Sequence, residues 1–153
     1  MTKKVVVLGT GGTIAGTASS ATDNIGYTAA QVGVEQLLAA IPGLNEVLAG
    51  RGVQSEQVAQ LDSKDMSFEV WQQLRARVVH HLAQPEVTGV VITHGTDTLE
   101  ETAFFLHSTL SCEELQGKPV VLTCAMRPAS ALTPDGPQNV MDAVAVACTV
   151  GAS

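Results

Sequence analysis

Short apolar runs rich in β-branched residues alternate with helix-patterned segments along the chain, and this alternation constrains the fold more than any other feature. The runs occupy residues 4–8, 58–61, 89–93 and 119–123. Each is mostly apolar on both faces, which is typical of parallel strands covered by helices on both sides. Four successive βα units predict an α/β domain in which a mostly parallel sheet is flanked by helices.

The segments between these runs carry helical spacing and helix-end signals. The first helix is expected over residues 34–41. Ser67 is a suitable cap for a second helix, and Thr98 with Glu101 has the spacing of a capping box that would open a third. A fourth helix is expected over residues 140–150.

The composition excludes several classes of protein. The chain has 153 residues, a formal net charge of -7 and a hydrophobic fraction of 45%, which fits one folded domain over residues 1–153. Its 8 basic residues form no stripe, so no nucleic-acid partner is expected. No run approaches the roughly 18 apolar residues of a membrane-spanning helix, so no membrane partner is expected either. The amino-terminal run is too short for a signal peptide, which predicts a cytoplasmic location, or a periplasmic one if a signal peptide has been removed.

The cysteine and histidine residues do not suggest a metal site. Cys112, Cys124 and Cys148 are widely spaced and form no ligand pair, so structural zinc is not expected. The three thiols are predicted to be buried and reduced. His80 and His81 lie in the second helical segment and are predicted to be surface residues.

A glycine-rich loop at residues 9–16 follows the first predicted strand. Loops of this kind commonly cradle phosphates, but the dinucleotide fingerprint fails here at Ile14 and the P-loop pattern fails at Thr17. The loop instead offers the Thr13 hydroxyl beside backbone that can approach a ligand closely, which suits a nucleophile and an oxyanion. The alternative is that Thr13 caps a turn and the glycines only permit tight curvature.

Polar residues also follow the second and third predicted strands. Ser63 comes after the second strand, and Thr96 and Asp97 lie between the third strand and its helix. Loops after neighbouring parallel strands converge, so Thr13 is expected near Thr96 and Asp97. Taken alone, Ser63 also fits a solvated turn and Asp97 a simple helix cap.

Two long motifs and four shorter ones, in the same order, resemble those of the bacterial-type L-asparaginase and glutaminase-asparaginase family. The long motifs are TGGTIAG at 10–16 and the segment from Gly89 through HGTDT at 94–98. The shorter ones are YTA, SKDM, AMRP and DGP at 27–29, 63–66, 125–128 and 135–137. The resemblance covers nearly the whole chain and implies an asparaginase-like amino-terminal α/β domain.

The resemblance implies an amidohydrolase that converts L-asparagine, and often L-glutamine as well, to the acid and ammonia without a metal or cofactor. It implies that Thr13 is the nucleophile that forms an acyl-enzyme and that Tyr27 lies beside it on a mobile lid. Thr96 would belong to a second catalytic cluster. Asp97 would hold the α-amino group of the substrate, and Ser63 its α-carboxylate. The implied catalytic set is Thr13, Tyr27, Thr96 and Asp97, and the implied substrate-binding set is Gly12, Ser63, Thr96 and Asp97.

Chains of this family continue with a lysine that activates the counterpart of Thr96 and with a smaller second domain. The lysines of this chain are Lys3, Lys4, Lys64 and Lys118, and none falls in the matching place. We therefore expect a truncated amino-terminal domain that lacks the second domain and is weakly active or inactive by itself. The family also implies a homo-oligomer, a tetramer in most members.

Two other functions fit parts of the sequence. A non-catalytic amino-acid-binding or interaction module could retain half of the site, and the missing lysine is the feature that distinguishes it from an enzyme. A phosphate-binding α/β domain is the other possibility, against which the two failed loop patterns argue.

Overall fold

A four-stranded, all-parallel sheet forms the centre of the computed structural model, which describes residues 2–23 and 25–149. The strands are β1 (Lys4–Gly11), β2 (Gly52–Leu61), β3 (Val87–Thr93) and β4 (Val120–Thr123), in the spatial order β2-β1-β3-β4. Every pairing between these strands is parallel. The predicted α/β sheet is confirmed, because each of the four apolar runs contributes one strand.

In the described residues, six α-helices connect and cover the strands, two more than the helical patterns predict. They are α1 (Val34–Ala39), α2 (Leu44–Leu48), α3 (Phe68–Leu82), α4 (Leu99–Thr109), α5 (Cys112–Leu115) and α6 (Gly136–Cys148). Gly43, at φ +78°, lets the chain restart as α2 soon after α1, and a capping box of Ser111 and Glu114 opens α5. Helix α6 begins earlier than predicted, and Val150 of its predicted span lies outside the described residues. Within the described residues, no helix is long and apolar enough to cross a membrane.

Each face of the sheet is buried by its own set of helices. Val5 and Val7 of β1 pack in the core formed with α1, α2 and α6, while Val6 and Leu8 pack in the core formed with α3 and α4. All four side chains are completely buried. Because side chains alternate between the two faces along a strand, a strand covered on both sides is apolar at every position.

Strand β2 departs from the predicted pattern because it lies at an edge of the sheet. None of its residues is buried, and its Glu56 carboxylate accepts hydrogen bonds from Arg77 of α3 at 2.6 and 2.9 Å. The bonded Arg77 holds the pKa of Glu56 below its usual value. His81 Nε2 lies 2.7 Å from the same carboxylate, and this histidine is 1% exposed. The predicted surface position of His81 is therefore wrong, whereas His80 is exposed.

Three local predictions about side chains have mixed outcomes. Ser67 caps α3 as predicted, because its Oγ accepts a hydrogen bond from the Val70 amide at 3.4 Å. The capping box predicted at Thr98 is wrong, because the Thr98 hydroxyl donates to the Ser63 carbonyl oxygen at 2.9 Å instead. The prediction of buried thiols is wrong for Cys112, which is exposed at the start of the short helix α5, and Cys124 and Cys148 are only partly buried.

The strand order places the loops after β1 and β3 side by side. The chain moves from β1 to β2 on one side, and then crosses to β3 and β4 on the other. The crevice at such a reversal, outside the carboxyl ends of the strands, is where open α/β sheets bind ligands. The topology therefore directs attention to the residues that follow β1 and β3.

Candidate active site

Three loops meet at the carboxyl edge of the sheet, and glycines allow their backbones to touch. A Cβ atom on Gly12 would collide with backbone atoms of Gly95 and His94, and one on Gly95 would collide with the Ser63 side chain. Gly12 also has φ +79°, a conformation that L side chains rarely adopt. Its amide donates to the Leu61 carbonyl oxygen at 2.9 Å. The loops after β1, β2 and β3 are thereby locked together at one place.

Thr13 begins a short 3-10 turn (Thr13–Ala15) directly after β1, and its hydroxyl faces Tyr27. The two hydroxyl oxygens lie 2.6 Å apart, a short hydrogen bond in which either group can donate. Thr13 is 6% exposed, while Tyr27 is half-buried. A Cβ atom on Gly16 would come within 2.8 Å of Tyr27 Cδ2, so the absence of a side chain there makes room for the ring. The structure thus brings together two residues of the predicted catalytic set.

Ser63 joins the second loop to the third. Its Oγ accepts a hydrogen bond from the Asp97 amide at 3.1 Å, and its carbonyl oxygen accepts a hydrogen bond from the Thr98 hydroxyl at 2.9 Å. Ser63 is 2% exposed, whereas Thr96 is half-buried and Asp97 is exposed. The Ser63 hydroxyl hydrogen is still available for donation, and the Asp97 carboxylate is accessible from solvent.

The second loop also carries a charged pair beside the site. Lys64 bonds to the Asp62 carboxylate, which raises the pKa of the lysine and lowers the pKa of the aspartate. Asp65 Oδ2 lies 3.8 Å from the same ammonium group. No cluster of three or more His, Cys, Asp or Glu side chains suited to a metal ion occurs in the part of the chain that the structure describes.

A buried chain of hydrogen bonds lies behind the third loop, and sequence reasoning missed it. Trp71 Nε1–H donates to Thr102 Oγ1 at 2.8 Å, and Thr102 Oγ1 lies 2.8 Å from His94 Nε2. His94 Nδ1 lies 2.8 Å from the Gly95 carbonyl oxygen, so Nδ1 carries the proton and Nε2 accepts from Thr102. His94 and Thr102 are 0% exposed, and burial lowers the pKa of His94. The only sequence signal was a histidine inside a polar motif, yet this neutral histidine holds Gly95 at the centre of the site.

Comparison with known proteins identifies the family in which this arrangement of residues occurs. Residues 4–153 match the sequence profile of the family described as "Asparaginase, N-terminal". The chain belongs to the asparaginase family. The family resemblance carried by the sequence motifs is therefore confirmed.

Asparaginases from several bacteria are similar to this chain over most of its length. It is 47% identical over 143 residues to a glutaminase-asparaginase of Pseudomonas fluorescens biotype A, covering 94% of this chain and 38% of that protein. It is 45% identical over 144 residues to a probable periplasmic L-asparaginase of Haemophilus influenzae, covering 94% and 38%. The crystal structure of a probable cytoplasmic L-asparaginase from Campylobacter jejuni matches with a TM-score of 0.90 at 40% identity, covering 99% of this chain and 44% of that one. The chain thus spans less than half the length of these asparaginases.

Proposed function

We propose that this chain carries the nucleophile and the substrate-binding residues of an L-asparagine amidohydrolase. The observation that supports this most directly is the 2.6 Å contact between the Thr13 and Tyr27 hydroxyl groups at the carboxyl edge of the sheet. A threonine hydroxyl is a poor nucleophile until a neighbouring group takes its proton, and the Tyr27 oxygen is within reach of that proton. The names of the relatives favour asparagine as the substrate, with glutamine as a second amide.

In the proposed reaction, Thr13 attacks the side-chain amide carbon of asparagine. Thr13 Oγ1 forms an ester bond to that carbon while its proton passes to the Tyr27 oxygen, and Tyr27 gives up its own hydroxyl proton to the amide nitrogen. The C–N bond then breaks and the nitrogen leaves as ammonia. Water then hydrolyses the β-aspartyl ester, which releases L-aspartate and restores the threonine hydroxyl.

The other residues of the site suit the charged groups of an α-amino acid. The exposed Asp97 carboxylate would accept hydrogen bonds from the substrate ammonium group, and the Ser63 hydroxyl would donate to its α-carboxylate. Because the Gly12 amide is already bonded to a carbonyl, Gly12 would serve the substrate by allowing close approach. The backbone amides of Thr13 and Thr96 would then stabilise the developing oxyanion.

Proton transfer at Thr96 would be inefficient in this chain by itself. Lys64 is the lysine at this edge of the sheet, and its ammonium group is bonded to the Asp62 carboxylate, which favours the charged form and raises the pKa of the lysine. The remaining lysines are bound at the amino edge of the sheet: Lys3, Lys4 and Lys118. Since loss of one member of a catalytic set commonly costs several powers of ten in rate, we expect weak turnover from the 153-residue chain.

Ammonia release and mass spectrometry test the proposal. Asparagine should drive slow ammonia release, and acid quenching should trap a β-aspartyl group on Thr13. Both signals should disappear in Thr13→Ala and persist in Thr109→Ala, which changes an exposed threonine of α4. Ammonia release that survives in Thr13→Ala would refute the nucleophile. Calorimetric binding of aspartate with neither ammonia nor adduct would favour the non-catalytic amino-acid-binding module.

Assembly and location remain predictions. The family resemblance predicts a homo-oligomer, and light scattering on the purified chain tests it. We propose a cytoplasmic location, with the periplasm as the alternative, because the relatives include enzymes named for either compartment. Fractionation of the producing cells tests it.

A further inference from the structure

The arm that carries Tyr27 is tied to a loop that has no role in the proposed chemistry. We call residues 16–23 and 25–28 the arm, and residues 126–135, between β4 and α6, the brace loop. The Ala129 amide donates to the Gly16 carbonyl oxygen at 2.9 Å, and the Leu132 amide donates to the Ala21 carbonyl oxygen at 3.0 Å. Between them, the Ala18 amide donates to Ser130 Oγ at 2.8 Å. The arm therefore lies along the brace loop, held by three hydrogen bonds.

The brace loop is organised by its own side chains. The Asp135 carboxylate accepts hydrogen bonds from the amides of Met126 and Arg127, both at 2.9 Å. Arg127 Nη1 donates to the carbonyl oxygen and the hydroxyl of Thr133, at 2.5 and 2.7 Å. Asp135, at the end of the loop and the start of α6, is thus bonded to the first residues of the loop and holds its two ends together. The loop offers the arm a fixed surface.

The arm has little apolar anchorage of its own. Residues 19–22, 25 and 26 are exposed, and Ile25, at 93%, is the most exposed large apolar side chain described. A segment that buries little apolar surface detaches at low cost, so polar ties decide where it lies. The root of the arm is closed by paired hydrogen bonds between Thr17 and Thr28, at 2.9 and 2.8 Å. The position of Tyr27 depends on this pairing, because Tyr27 is the residue before Thr28 and its ring lies against Gly16.

We propose that Ser130 is a positioning residue that docks the arm on the brace loop and so holds the Tyr27 hydroxyl against Thr13. This deepens the proposed function, because Tyr27 can take the proton of Thr13 only when the arm is docked. Of the three ties between arm and brace loop, Ser130 supplies the one made by a side chain. It is therefore the tie that a substitution can remove without changing the backbone.

The test uses the tyrosine itself as the reporter. Tyr27 is the only tyrosine in the sequence, so the full chain labelled with 3-fluorotyrosine gives fluorine NMR signals from this residue alone. In Ser130→Ala, the population with the signal of an exposed ring should rise about fivefold, the factor expected from the loss of one ordinary hydrogen bond. Ser130→Thr keeps a hydroxyl acceptor and should restore the spectrum of the unmodified chain.

Ser20→Ala is the matched control, because the Ser20 hydroxyl bonds to Thr22 inside the arm. It should leave the fluorotyrosine signal unchanged, and thermal melts should show all variants folded. A Ser130→Ala spectrum identical to that of Ser20→Ala would overturn the proposal, and so would failure of Ser130→Thr to restore the signal. The measurement needs no turnover. The role proposed for Ser130 can therefore be refuted while the proposed hydrolysis is supported, and the hydrolysis can be refuted while the role of Ser130 is supported.

Discussion

Replacing Thr102 by valine should cost more stability than the loss of one ordinary hydrogen bond. Valine keeps the shape of the side chain but lacks the hydroxyl that accepts from Trp71 and donates to His94. A buried polar group left without a partner costs about 1–3 kcal/mol. His94 is 0% exposed and bears this cost in full, whereas the half-buried Trp71 bears less. The free energy of unfolding should therefore fall by about 2–4 kcal/mol.

Urea unfolding followed by circular dichroism measures this loss. Thr102→Ser is the matched control, since it keeps the hydroxyl and removes one methyl group, at a cost of about 1 kcal/mol. The fluorescence of Trp71, the only tryptophan, should also change in Thr102→Val because the indole N–H loses its acceptor. It should change little in Thr102→Ser.

A double-mutant cycle separates the two unpaired groups. Trp71→Phe removes the indole donor, so Thr102→Val in that background leaves only His94 without a partner and should cost less than it does alone. Strict additivity of the two changes would show that Trp71 and Thr102 are not coupled. If the Thr102→Val chain were as stable as the Thr102→Ser chain, the reasoning would be refuted. The buried chain of hydrogen bonds would then contribute nothing to the free energy of unfolding.

Three further predictions concern His94, Gly12 and Asp97. Burial lowers the pKa of His94, so below about pH 6.5 the unfolded chain gains a proton that the native chain does not, and stability should fall by up to about 1.4 kcal/mol per pH unit. Denaturant titrations from pH 7 downward should show a smaller slope in His94→Gln, and an equal slope would contradict the assignment. Gly12→Ala should lower the melting temperature more than Gly117→Ala. Both glycines have positive φ, +79° and +67°, but of the two only Gly12 has neighbouring backbone that a Cβ would strike. Equal losses in melting temperature would show that the collision is relieved. Asp97→Ala should weaken aspartate binding by at least about 2 kcal/mol in calorimetry, because the ligand ammonium loses its charged partner; unchanged affinity would limit Asp97 to a structural role.

The architecture could be predicted because the burial of a parallel sheet is encoded locally. Val5 to Leu8 are apolar at every position, which is the requirement for a strand covered on both faces, and their complete burial confirms it. The position of the candidate site could be predicted by the same logic. Thr13, Ser63 and Asp97 each come just after a strand, and the carboxyl ends of parallel strands lie at one edge.

Local sequence determined the strands, most of the helices and the edge at which the polar residues gather, since these depend on neighbours a few positions apart. The tertiary structure decided which partner each polar group takes. Thr98 and Glu101 fit a capping box by spacing, yet the Thr98 hydroxyl bonds to Ser63, which is 35 positions away. His81 carries no local sign of burial, but Glu56 of the edge strand lies against it. A buried polar group takes whichever partner the packed elements bring within reach, and that proximity is created only when distant segments fold together.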